Sequence, residues 1–227
     1  MSYCRKPIVS YLTLVVCMVI AGCGRSGDGD QSPTTAIGSG NSVSPTKGET
    51  NAPARPADPK HPVVTIETTL GNITVRLDAE NAPFTVENFL TYVNAGRYDQ
   101  TLVHQVYKGQ LFVGGGYDTN FVEKPARTAI ANEAHNGLKN RRGTIAMARL
   151  PDSIQSATCQ FFINVADNPV LDFKDRSVDG YGYCVFGNVT GRMDVVDRIA
   201  DAPVHDTPDF DRTPVTPLVI KSIRLSR

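Results

Sequence analysis

From residue 63 onward the chain is cut into short apolar runs, most of them closed off by Gly, Pro, Asn or Asp. Runs that short suit β-strands and are too brief for a helical core. Val63 to Thr68 and the alternating Ile73-Thr74-Val75-Arg76-Leu77-Asp78 read as two strands joined by a turn at Leu70-Gly71-Asn72. Further strand candidates cover 101–107, 110–114, 144–148, 160–165, 183–189 and 218–225, the last alternating cleanly only from Ser222. Two stretches carry a helical period instead. Asn81-Ala82-Pro83 supplies a capping residue and a first-turn proline, then Val86, Phe89, Leu90 and Val93 share one face, and Gly96 ends the helix. A second short helix fits 192–200, with Met193, Val196 and Ile199 facing inward. Many short strands and two helices predict a mostly antiparallel sheet closed on itself, a β-barrel with helical plugs.

The residues before this domain are of another kind. Arg5 and Lys6 precede an apolar stretch from Ile8 to Ile20. A helix of that length spans about 20 Å, short of a hydrocarbon core of about 30 Å, so it reads as the apolar part of a signal peptide. Ile20-Ala21-Gly22-Cys23 then resembles a bacterial lipobox, which implies cleavage after residue 22 and lipidation of Cys23. Dual acylation anchors firmly, each buried methylene adding roughly 0.8 kcal/mol. By analogy with such lipoproteins, Gly24 after the cysteine favours the outer membrane. Residues 24–61 are rich in Gly, Ser, Thr, Pro and Asn, a composition that cannot offset its ordering entropy by burial. They read as a flexible tether with a reach of roughly 30–35 Å. The organisation is therefore a signal peptide at 1–22, a lipidated Cys23 and tether at 23–61, and one domain at 62–227. Localisation follows: the bacterial cell envelope, with the domain on the periplasmic side. Cys159 and Cys184 are the domain's own cysteines. They fit two readings, a disulfide in an oxidising compartment or two small buried apolar side chains, and the second is the expectation.

Charge excludes some functions. The 23 basic and 23 acidic side chains balance. Loss of residues 1–22 removes Arg5 and Lys6 and no acid, leaving 21 basic against 23 acidic groups. A nucleic-acid surface would need a basic excess, so no nucleic-acid partner is expected. Gly114-Gly115-Gly116 lacks the Lys-Ser/Thr of a phosphate loop. Asp167, Asp172, Asp175 and Asp179 miss the spacing of a calcium loop, and the four histidines are scattered, so no metal and no cofactor is expected.

Three segments carry a resemblance to a known family. The longest runs through Asn132-Glu133-Ala134, Gly137-Leu138, Arg142-Gly143-Thr144-Ile145-Ala146-Met147-Ala148-Arg149 and Ser156-Ala157-Thr158-Cys159-Gln160-Phe161-Phe162-Ile163-Asn164-Val165. The second is Tyr183-Cys184-Val185-Phe186-Gly187 with Gly191 and Met193 beyond it, and the third is Ala82-Pro83 to Phe89. Together they resemble the cyclophilin-type peptidyl-prolyl isomerases, most closely the bacterial periplasmic branch. The resemblance spans Val63 to the C-terminus. It implies a mainly β fold, a closed eight-stranded antiparallel barrel capped by two α-helices, with a packed interior and a proline-binding groove on the outside. It also implies a monomer acting on proline-containing polypeptides.

Rotation about a peptide bond costs about 18–20 kcal/mol because resonance is lost. No bond is made or broken, so the catalyst has only to bind the twisted amide better than the planar one. A dry pocket for the proline ring and one strong donor aimed at the proline nitrogen would suffice. In the family that donor is an arginine beside a histidine, and the pocket is aromatic and aliphatic. Here His104 matches the histidine, and Gln105 stands in the arginine position. Gln110 takes the position of a pocket Phe, Leu111 that of a Met and Val113 that of a groove Gln. Ala148, Gln160, Phe162 and Leu171 match substrate-groove positions. Arg149 and Tyr183 match residues of the periplasmic branch, and Val170 replaces an aromatic. The resemblance thus implies His104 and Gln105 as the catalytic pair and the other ten as the substrate groove. A glutamine donor is neutral and short, whereas charge-assisted hydrogen bonds are roughly twice as strong. The expectation is a peptidyl-prolyl isomerase of weakened turnover that assists folding of envelope proteins. The alternative is a proline-peptide binding module on an isomerase frame.

Overall fold

The computed structural model describes residues 58–226, so the expected signal peptide, Cys23 and nearly all of the tether lie outside the described residues. Strands β1 Val63–Thr68 and β2 Gly71–Leu77 come first, then helix α1 Pro83–Asn94, then β3 Thr101–Tyr107 and β4 Leu111–Asp118. Strands β5 Thr144–Met147, β6 Phe161–Asn164 and β7 Val185–Gly191 lead to helix α2 Met193–Ala200. Strands β8 Val204–His205, β9 Thr213–Pro214 and β10 Leu218–Leu225 complete the domain. Eight strands close into a barrel in the order β1-β10-β3-β4-β6-β5-β7-β2, with antiparallel neighbours throughout, while β8 and β9 pair only with each other. Closure gives every barrel strand a partner on both sides and leaves no open edge. This is the eight-stranded barrel with two helices that the sequence leads one to expect.

Alternation explains what fills the barrel. Val64 and Ile66 of β1 and Ile73, Val75 and Leu77 of β2 join the main core, while the residues between them face outward. Helix α1 contributes Val86, Phe89 and Val93, and α2 contributes Val195, Val196 and Ile199. Phe89 lies 5.7 Å edge-on to Phe161 and 5.2 Å from Phe186. Strands β3 and β4 are buried on both faces, which is why their sequences carry little polar alternation.

Two local expectations are corrected. The first turn closes one residue early, at Thr69-Leu70, because the Thr68 hydroxyl donates to the Gly71 carbonyl at 2.7 Å and accepts from the Leu70 N–H at 3.1 Å. Asn81 does not cap α1: the N-cap is Ala82, with no side-chain hydrogen bond, and Asn81 turns back to Asp78. The cap comes from far along the chain. The Glu133 carboxylate accepts from the Phe84 and Thr85 N–H groups at 3.3 and 2.8 Å and from the Thr85 hydroxyl at 2.6 Å. An anion at a helix N-terminus satisfies orphan donors and the helix dipole together. Cys159 and Cys184 are both free and buried. Burial pushes the Cys184 thiol up to about 12, so it packs as a small apolar group.

Candidate active site

The same alternation that fills the barrel builds a second apolar cluster on its outer face. Phe161 joins the interior, and its neighbour Phe162 joins a cluster of Tyr107, Leu111, Val113, Ala146, Leu171, Tyr183 and Val185. Across the sheet Gln105 pairs with Val113, Val113 with Phe162 and Phe162 with Ala146, so these four residues form one row. In the next row Tyr107 pairs with Leu111 and Leu111 with Asn164. Ala148 and Val170 pack against the edge of the cluster. The cluster opens at a cleft of about 200 Å³ whose walls include Gln110, Leu111, Pro169, Val170 and Leu171. The 3-10 turn Pro169–Leu171 forms the far wall. Asn168 ties that wall down by donating to the Gln110 main-chain carbonyl at 3.1 Å and to the Asn164 side-chain Oδ1 at 2.7 Å.

The polar residues fall on two sides of this face. Gln160 lies flat against Gly116, where a Cβ would come within 2.7 Å of its Cδ, so the glycine is what admits the side chain. Burial raises the pKa of the neighbouring Tyr117 hydroxyl, and Gln160 beside it opposes that rise. Arg149 is fixed. Its guanidinium donates to the carbonyls of Gly182, Leu150, Pro151 and Val178 at 2.8–3.0 Å and sits 5.1 Å from the Tyr183 ring centroid. Tyr183 in turn lies edge-on to Phe162 at 5.6 Å. Arg149 therefore buttresses the floor of the face and has four donors already committed.

His104 and Gln105 are both buried, at 3% and 4% exposure. The ladder between β3 and β4 shifts register around Val103 to Gln105. His104 sits in that irregularity, edge-on to Tyr117 at 4.8 Å and Phe210 at 5.9 Å. Burial lowers its pKa to about 4, with the Leu102 carbonyl pulling weakly the other way. The imidazole is neutral at pH 7 and supplies shape, not charge. Gln105 projects from the opposite side of Val106, over Val113.

Sequence reasoning missed the segment that closes this side. Phe210 lies edge-on to Tyr117 at 4.7 Å, as it does to His104, and tilted against Phe121 at 5.4 Å. Arg212 places its guanidinium carbon 4.6 Å from the Tyr107 ring centroid. The main chain holds them there: the Val106 N–H donates to the Arg212 carbonyl at 3.0 Å, and the Arg212 N–H donates to the Asp206 carboxylate at 2.9 Å. Nothing periodic marks 204–214, and the aromatic at 210 is the one local cue that it docks on something.

The closed antiparallel barrel has a packed interior, which leaves the shaped apolar cleft on its outside. Residues 63–225 match the family model described as "Cyclophilin type peptidyl-prolyl cis-trans isomerase/CLD". The chain is 43% identical over 164 residues to peptidyl-prolyl cis-trans isomerase B of Escherichia coli (strain K12), covering 72% of this chain and 99% of that one. It is also 43% identical over 162 residues to a peptidyl-prolyl cis-trans isomerase of Streptomyces antibioticus, covering 71% and 97%. Among solved structures, a Cryptosporidium parvum cyclophilin-type isomerase determined in the presence of the dipeptide Ala-Pro shares the fold, with a TM-score of 0.59, 24% identity and coverage of 73% and 99%. The chain belongs to the cyclophilin-type peptidyl-prolyl cis-trans isomerase family. Among the described residues, no group of three His, Cys, Asp or Glu side chains is placed to hold a metal ion.

Proposed function

We propose that this protein is a peptidyl-prolyl cis-trans isomerase that takes proline-containing polypeptides on the outer face of its barrel. The observation that carries this reading is the outward apolar cluster of Leu111, Val113, Phe162 and Leu171, opening at the cleft beside Gln110 and Val170. The proline ring enters the cleft, and the twisted amide lies toward β3, along the Gln105 and Tyr107 side of the face. Desolvation there favours the twisted state, whose charge separation is smaller than that of the planar amide. Turnover falls below that of the relatives, because Gln110 gives the pocket a polar wall and β3 carries the neutral Gln105, so that any charged donor has to reach the amide from another element. The expected setting is the periplasmic side of a bacterial envelope, with Cys23 as the lipid anchor and folding envelope proteins as substrates. Incorporation of a labelled fatty acid into the full chain, abolished by Cys23→Ala, would support the anchor; labelling that survives the substitution contradicts it.

The second reading is a binding module, favoured by the neutral residue at 105 and the polar one at 110. One titration separates the two. Adding an Ala-Pro peptide to the full chain is expected to shift the resonances of Leu111, Phe162 and Leu171. Cis-trans exchange of that peptide is expected to run faster than background and slower than with the Escherichia coli relative. Saturable shifts with no faster exchange support the binding module, and no shifts at all contradict both readings.

A further inference from the structure

We propose that Arg212 supplies the charged donor that strand β3 lacks, reaching the substrate amide from the β8–β9 segment. The inference rests on the isomerase reading above and identifies which side chain carries its central interaction.

Four observations converge on Arg212. First, it is on the right face. Val106 points into the barrel, so Gln105 and Tyr107 project together from the outer side of β3. The Arg212 guanidinium lies over the Tyr107 ring. Tyr107 is paired with Leu111, which lines the cleft, so the charge stands one side chain away from the ring pocket. Second, its donors are uncommitted. Among the described residues the guanidinium meets the face of Tyr107 and no carboxylate or carbonyl, in contrast to Arg149 with its four carbonyl partners. Arg149 is thereby ruled out as the free charge on this side of the barrel.

Third, the position is held from both ends. Phe210 is locked into the His104, Tyr117 and Phe121 rings, and the Arg212 carbonyl is bonded to the Val106 N–H. The segment from 210 to 212 therefore crosses β3 alongside Gln105. Fourth, Arg212 adopts φ +55, a left-handed conformation that is costly for a side chain with a Cβ. The contacts that hold the segment at both ends keep that conformation in place.

A guanidinium seated on an aromatic ring keeps its in-plane N–H donors free. It can aim one at the proline nitrogen as that atom regains its lone pair in the twisted state, and another at the neighbouring carbonyl. No bond forms or breaks and no proton is transferred.

The test is cis-trans exchange of an Ala-Pro peptide, measured with the full chain and with Arg212→Gln and Arg212→Met. The second variant keeps the apolar stem over Tyr107 should the first fail to fold. Peptide affinity is read in parallel. The expected result is a loss of roughly 10²–10³ in the exchange rate at saturation, with affinity changed less than threefold. Gln105→Arg in the Arg212→Gln background is expected to recover most of the lost rate. A folded variant of either kind that keeps wild-type turnover overturns the role of Arg212 and leaves the isomerase reading standing. Wild-type protein that binds the peptide without faster exchange overturns both.

Discussion

His104 and Gln105 are adjacent in sequence and have unlike surroundings. His104 is enclosed by the rings of Tyr117 and Phe210, and its pKa falls from 6.5 to about 4. The unfolded chain takes up a proton near pH 6.5, whereas the folded protein resists it until about pH 4. His104 thus contributes stability that is fully present above pH 6.5 and is lost as pH falls toward 4. The loss amounts to roughly 3 kcal/mol. Urea unfolding between pH 7 and pH 4 is expected to show this slope, and His104→Gln is expected to flatten it. An unchanged slope in the variant would place the titration elsewhere. Gln110 is the other residue whose chemistry goes against its position, a polar group on the wall of an apolar cleft. Replacing it with Phe adds an aromatic wall worth roughly 0.5–1.5 kcal/mol. The Ala-Pro peptide should then bind about 2- to 13-fold more tightly by calorimetry, and weaker binding would mean that the ring does not enter there.

At the level of elements, the stretch from Asp172 to Tyr183 sets the shape of the groove floor. Gly182 adopts φ +72, and a Cβ there would come within 2.6 Å of the Asp172 and Phe173 backbone. Its carbonyl also receives Arg149 and Asn132. Gly182→Ala should cost roughly 1–3 kcal/mol through backbone strain alone. It should also lower Tm by several degrees and weaken peptide binding by displacing Tyr183. A variant with normal Tm and binding would show that the segment is not what seats the ring. The strands and both helices were legible because alternation and the helical period are direct consequences of burying one face. Strand β10 matches its expected span of 218–225, whereas β4 runs on to Asp118 through its glycines, which have no side chains to alternate. Phe161 and Phe162 could be assigned opposite faces from adjacency alone. The cap on α1 was not legible, since Glu133 acts across 48 residues of chain. Nor was the docking of Phe210 and Arg212, because a two-residue strand pair leaves no period to read.

The described residues, taken whole, form a barrel with two apolar compartments. The inner one holds the fold together, and the outer one is available because closure has already satisfied every strand edge. The outer compartment can therefore carry polar substitutions such as Gln105 and Gln110 without loss of the barrel. Charge at the site can likewise come from a segment that is not part of the barrel ladder. Among the described residues no helix is long and apolar enough to cross a membrane. The central claim is that this outer face lowers the barrier to rotation about an X-Pro bond. Unaided exchange takes about 10–100 s. The most direct test is the cis-trans exchange rate of an Ala-Pro peptide by NMR, with increasing amounts of the full chain. The account predicts a rate that rises in proportion to protein and saturates with peptide. A rate that stays at background while the peptide binds would contradict it.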